Sequence, residues 1–180
     1  MPAQYSEDNV PFKPKHFLPI SLDGVEQGDF TLVFGYPGRT NSYLPSPAVE
    51  QIMNVTDPAR VSVRDRTLNV LNAEMRADPE VKIIYTSRQA GIANAWKKWQ
   101  GSTLGLKRTN AVAKKQKMEG KFMKIVQNNP EWMSKYGSIL NDFRRLYTEI
   151  YPYAEANAYY SEATRVNIEL LRTTSVLARL

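Results

Sequence analysis

The sequence predicts a mainly α protein, a multi-helix bundle preceded by a short β segment. Three observations predict it. Asp-Pro or Asn-Pro recurs at Asp57-Pro58, Asp78-Pro79 and Asn129-Pro130. There the polar side chain can cap free first-turn amides, and proline gives up an N–H that would be unsatisfied anyway. Apolar residues at Tyr136, Leu140, Phe143, Tyr147, Ile150 and Ala154 keep the 3–4 spacing of one helix face. The texture also changes near Pro45, from short Phe/Leu/Val runs bounded by Gly and Pro to long periodic stretches.

Residues 1–44 form the β segment. "KHFLPIS" and "DFTLVFG" read as strands, and "LDGVEQGD" between them, with two glycines and three acids, reads as a turn. "GYPGRTNSY" closes the second strand, with Arg39 placed to anchor its end to the helices. Two strands cannot make an independent sheet, and Phe30 to Phe34 would present unpaired backbone. Two readings stay open: the torn edge of a larger sheet, or a hairpin packed on the bundle. An exposed edge of this kind is expected to self-associate.

Residues 45–180 form the helical domain. Helices are expected to start near residues 58, 79 and 130, with a further one from about Thr103 to Gln127. The stripe from Tyr136 to Ala154 predicts a buried face, and Pro152 inside it should kink or split the helix. Val166, Leu170, Leu171, Val176 and Leu177 continue an apolar face toward the end.

Composition narrows the chemistry. The chain has 180 residues, 42% of them hydrophobic, which is enough for one sizeable core. Its net charge of +6 is uneven: Arg88 to Lys124 holds ten Lys/Arg against the single Glu119, so the remainder sums to −3. With no cysteine and one histidine, neither a disulfide nor a zinc site is expected, and no cofactor or metal is indicated. No apolar run has membrane-spanning length, and the N-terminus "MPAQYSEDNVPFKPK" has no apolar signal core.

The basic stretch carries the sharpest question. On a helical wheel Ile92, Ala95, Trp96 and Trp99 share about a 100° arc. Asn94 lies nearly opposite, flanked by Lys97 and Lys98. The tryptophans therefore face the core, whereas nucleic-acid stacking would need them exposed. Lys107, Lys114, Lys115, Lys117 and Lys121 read as a solvated helix face or as a grip for an acidic partner. No helix-turn-helix or RNA-binding motif gives them a register, so nucleic acid is a poor fit. Asn94 offers both an acceptor and a donor without charge, and position alone makes it an ordinary polar-face residue.

Other candidates fail on spacing. "FGYPGRT" lacks the phosphate-loop pattern, His16 has no triad-like partners, and Asp29 in "GDF" has no identifiable second carboxylate. No Gly-x-Ser-Gly tetrapeptide occurs.

Taken in order, "DNVPFKPKHFLPIS", "GDFTLVFGYPGRTNSYL" and "NAWKKWQG" resemble the serine dipeptidyl-peptidases typified by dipeptidyl-peptidase 7 and dipeptidyl-peptidase 11. The similarity covers about Tyr5 to Phe122. The resemblance implies a chymotrypsin-like double β-barrel with an inserted helical domain that caps the active-site cleft. This chain would be a mid-region fragment: the last strands of one barrel, then the cap. Asn94 would hold the free amino end of the substrate, where an ammonium without partners is costly. Ala95 departs from the aromatic residue many relatives carry there.

The resemblance also implies no catalytic residue here. The family's histidine and aspartate lie upstream and its serine downstream, so Asp29 is not the catalytic aspartate and the chain is expected to be inactive alone. Implied partners are the N-terminus of a peptide substrate and the remaining peptidase domain, with a periplasmic or cell-surface location for the parent enzyme. The competing expectation is a stand-alone basic helical module for an acidic partner or nucleic acid.

Overall fold

A computed structural model describes residues 6–35, 38 and 40–178. The chain divides into two units, Met1–Thr40 and Asn41–Leu180.

The first unit is extended chain. Among its described residues no strand forms, so the expected β segment is not seen. The reason is physical: a strand exists only as part of a ladder, and no ladder pairs the described residues of this segment. Its apolar side chains are in solvent, with Phe30, Val33 and Phe34 at 91%, 95% and 97% exposure. The turn expected between the runs does form. Asp29 N–H donates to the Glu26 carbonyl at 3.2 Å, and the Asp29 carboxylate accepts from Glu26 N–H at 2.8 Å. Gly28 occupies φ +106°, a conformation that favours glycine. The expected anchor Arg39 lies outside the described residues.

The second unit is all helix. Its elements are α1 (Ser46–Gln51), a π-turn (Ile52–Thr56), α2 (Asp57–Ala77), α3 (Pro79–Arg108), α4 (Ala111–Gln127), α5 (Pro130–Tyr136) and α6 (Ile139–Tyr160). A second π-turn (Ser161–Asn167) and α7 (Glu169–Leu177) follow.

Two of the three Asn/Asp-Pro signals act as expected. The Asp78 carboxylate accepts from Glu80 and Val81 N–H at 2.7 and 3.4 Å. The Asn129 side chain does the same for Glu131 and Trp132 at 2.9 and 3.2 Å.

The third signal stands where α2 begins, at Asp57, but it makes no cap bond. Asp57-Pro58 lies inside a continuous helical run that begins at Ser46. That start is secured by a distant residue: Glu119 of α4 accepts from both Ser46 N–H (2.5 Å) and Ser46 Oγ (2.7 Å). With a cap supplied from α4, the helix begins upstream of Pro58. The π-turn then relieves the clash an interior proline imposes on the preceding turn.

Three further expectations change. The helix expected from Thr103 is two helices, because Asn110 takes the left-handed conformation (φ 50°, ψ 50°) between α3 and α4. Asparagine tolerates that geometry better than most residues. Pro152 does not split α6, which runs unbroken from Ile139 to Tyr160. The Tyr136–Ala154 stripe is only half-buried, and Ile150 is 51% exposed.

The buried apolar residues are mostly small: Ala48, Val49, Val55, Ala59, Leu68, Ile92, Val126 and Ala158. Packing centres on the antiparallel α2–α3 hairpin, closed by the single residue Asp78, with α1 against α4 and α6. Among the described residues no helix is long and apolar enough to cross a membrane.

Candidate functional site

The α2–α3 hairpin positions the "NAWKKWQG" stretch. Its inner side holds a buried polar network. Arg64 of α2 is 7% exposed and Glu162 of the second π-turn 5%. They form a two-pronged ion pair, Nε to Oε2 at 2.7 Å and Nη2 to Oε1 at 3.3 Å. Arg64 Nη1 also donates to the Ile92 carbonyl at 3.2 Å. Asn167 Nδ2 donates to the carbonyl and carboxylate of Glu162 at 2.7 and 3.1 Å.

Trp99 serves this network. The Arg60 and Arg64 guanidinium carbons lie 5.2 and 4.5 Å from its ring centroid, within cation–π range. Both tryptophans are partly buried, so neither offers the free face that base stacking requires. Trp96 Nε1 is buried with no hydrogen-bond partner.

Asp57 sits near the same end of the hairpin, 4% exposed. Burial raises its carboxyl above the usual carboxylate range, opposed in part by the charges of Arg60 and Lys98. Arg60 Nη1 lies 3.7 Å from its Oδ1.

Asn94 is exposed, on the opposite side of α3 from Ile92. It lines a shallow groove between α2 and α3, about 430 Å³, together with Asp65, Asn69, Asn72, Gln89 and Lys97. Gln89 Nε2 donates to Asn72 Oδ1 at 3.1 Å. Among the described residues, the Asn94 side chain forms no hydrogen bond and Asp65 forms no ion pair. The groove is thus rich in acceptors: one carboxylate and several amide carbonyls, with Lys97 as its one cation. Such a surface suits a small donor such as an ammonium.

The lysines separate into two kinds. Lys115 donates to the Ser42 carbonyl and is partly buried. Lys114, Lys117, Lys121 and Lys124 are exposed at 3–4–3 spacing, one stripe along α4. None forms an ion pair among the described residues, because Glu119 is committed to Ser46. Lys107 is exposed at the end of α3, where a cation suits the helix dipole.

The remaining sequence candidates do not join this site. His16 is exposed on extended chain, and Asp29 closes its own turn. Sequence reasoning missed Arg64, Glu162 and Asn167. Arg64 and Glu162 are 98 positions apart, and no local pattern links them.

The whole chain, residues 1–180, matches the Peptidase S46 family. It is 54% identical over 179 residues to an Asp/Glu-specific dipeptidyl-peptidase of Capnocytophaga gingivalis, covering 99% of this chain and 25% of that protein. A second Asp/Glu-specific dipeptidyl-peptidase, from Flavobacterium psychrophilum, is 51% identical over 171 residues, 94% of this chain and 24% of the relative. Dipeptidyl-peptidase 7 of Capnocytophaga gingivalis is 38% identical over 141 residues, 78% of this chain and 20% of the relative. The chain therefore spans about a quarter of the length of the first two relatives.

Proposed function

This chain belongs to the peptidase S46 family, and from that premise we propose that it is the substrate-binding helical region of a serine-type dipeptidyl-peptidase that releases N-terminal dipeptides. The observation that carries the reading is Asn94, exposed and unbonded in an acceptor-rich groove, on the motif that resembles the family's amino-end clamp. Its amide oxygen accepts from the substrate ammonium, and Asp65 on the facing helix supplies the opposite charge. Fixing the amino end sets the cleavage point two residues in. The nucleophilic serine and its histidine come from the remaining peptidase domain, since no Gly-x-Ser-Gly occurs in these residues. Residues 1–44 complete a barrel sheet there, which accounts for the bare apolar side chains from Phe30 to Phe34. Without that sheet, the same strand pairs with a second copy. The parent enzyme works in the periplasm or at the cell surface. Two relatives above half identity are Asp/Glu-specific, which points to acidic dipeptides as the substrate class.

The test is Asn94→Ala in the full-length enzyme, assayed on a free and an N-acetylated peptide. Losing a hydrogen bond to a charged group costs about 1.5–3 kcal/mol. The kcat/KM for the free peptide should fall about 10–150-fold, with no effect on residual turnover of the acetylated one. Equal kcat/KM for wild type and variant on the free peptide would remove Asn94 from substrate binding.

A second reading, a stand-alone basic module for a polyanion, is favoured by the unpaired α4 stripe alone. Heparin retention that vanishes when Lys114, Lys117, Lys121 and Lys124 become Gln would support it. Unchanged retention would remove the stripe as a polyanion grip.

A further inference from the structure

Arg64 reaches from α2 to α3 on both sides of Asn94 along the helix. Its Nη1 donates to the Ile92 carbonyl at 3.2 Å, before Asn94 in the chain. Its guanidinium carbon lies 4.5 Å from the ring centroid of Trp99, after Asn94. At about 1.5 Å of rise per residue, these two contacts span about 10 Å of α3. Held at both ends of that span, α3 cannot slide or turn against α2 without breaking one of them. Arg64 also directly precedes Asp65, which lines the groove from α2 as Asn94 does from α3. One buried side chain therefore ties the backbone at Asp65 to the backbone around Asn94.

Arg64 is itself held from a third element. Glu162, in the second π-turn, accepts from Arg64 Nε and Nη2 at 2.7 and 3.3 Å, so every nitrogen of the guanidinium is engaged. Those nitrogens form a rigid planar fork, and fixing two of them on Glu162 fixes where the third points. Asn167 steadies Glu162, donating from Nδ2 to its carboxylate at 3.1 Å. The same π-turn meets α3 directly, because Arg88 Nη2 donates to the Asn167 carbonyl at 3.1 Å. Arg88 and Ile92 are one helical turn apart on α3, so the π-turn secures that helix at two successive levels.

Stability alone is a weak reason for such a pair. Apolar side chains of similar volume often replace a buried ion pair without loss. What they cannot supply is a directed bond to the Ile92 carbonyl.

We propose that Arg64 and Glu162 are positioning residues for substrate binding: together they fix α3 against α2 so that Asn94 meets the substrate ammonium opposite Asp65. Neither residue touches substrate, and their role rests on that of Asn94.

The test is a double-mutant cycle in the full-length enzyme, with kcat/KM measured on a peptide with a free amino end. Arg64→Met/Glu162→Met removes both charges at similar volume and should keep a urea midpoint near that of wild type. It loses the bond to the Ile92 carbonyl, so kcat/KM should fall about 10-fold, the lower end for a hydrogen bond to a charged group. In an Asn94→Ala background the same replacement should cost less than about threefold, because the amide whose place it fixes is gone. A merely loosened bundle would lose as much in either background, and that result would overturn the proposal. So would a double variant at wild-type kcat/KM beside an impaired Asn94→Ala, an outcome that leaves the role of Asn94 standing. An unimpaired Asn94→Ala removes both. Should the double variant fail to fold, Arg64→Lys takes its place in the cycle, since it keeps a cation beside Glu162 and gives up the planar fork. A smaller loss is then expected, again coupled to Asn94→Ala. Wild-type kcat/KM for Arg64→Lys, or a loss independent of Asn94→Ala, would overturn the proposal.

Discussion

Replacing Glu162 with Ala should destabilise the fold by about 3 kcal/mol. Arg64 and Glu162 are both nearly inaccessible, and removing one partner leaves the other charge buried and uncompensated. Breaking such a pair costs about 3–5 kcal/mol. Arg64 would keep the Ile92 carbonyl at 3.2 Å and the Trp99 ring at 4.5 Å, which places the loss at the lower end. A loss of about 3 kcal/mol lowers the folded-to-unfolded ratio by about 150-fold. With a urea dependence of about 2 kcal/mol per molar, the midpoint should fall by about 1.5 M with unchanged slope. The informative partner is the double variant Arg64→Met/Glu162→Met. It removes both charges and fills similar volume, so it should lie within about 1 kcal/mol of wild type. Urea melts followed by circular dichroism measure both. A midpoint shift below about 0.3 M for Glu162→Ala would refute the reasoning. So would a double variant as unstable as two independent losses, because the pair would then not be coupled.

Three further outcomes follow from single positions. Burial raises the Asp57 carboxyl in the folded state above its unfolded value near 3.8, so its contribution to stability is fully present below that pH and is lost as pH rises through the folded pKa. Asp57→Asn should therefore be at least as stable as wild type at neutral pH, with wild type gaining relative to it on acidification. Thermal melts across that range check the sign, and wild type losing ground in acid would contradict it. A methyl group at Gly137 would lie 2.5 Å from the Met133 carbonyl oxygen, which is backbone and cannot yield cheaply. Gly137→Ala should cost about 1–3 kcal/mol. Gly120→Ala on α4, where nothing lies within 4 Å, should instead stabilise by about 0.5–1 kcal/mol. The same direction of melting shift for both would show that the crowding at Gly137 is not felt.

What the sequence determined by itself is what depends on neighbours a few residues away. Asp78 and Asn129 cap their helices because the amides they satisfy lie two and three positions on. Asn94 was legible as a polar-face residue because helical period alone sets it opposite Ile92, and the GDF aspartate was legible as a turn. The tertiary structure decided everything that needs a distant partner. Asp57-Pro58 carries the same signal as the other two, yet it caps no free helix end, because Glu119, 73 positions from Ser46, secures the start of the helical run upstream. Lys115 and Lys117 look alike in sequence, yet among the described residues Lys115 alone of the two finds a carbonyl, that of Ser42. Among the described residues of 1–44 strand propensity produced no strand, since backbone hydrogen bonds need a second edge to receive them. Capping energy is local and can be read along the chain. Burial and long-range pairing arise only where the helices meet.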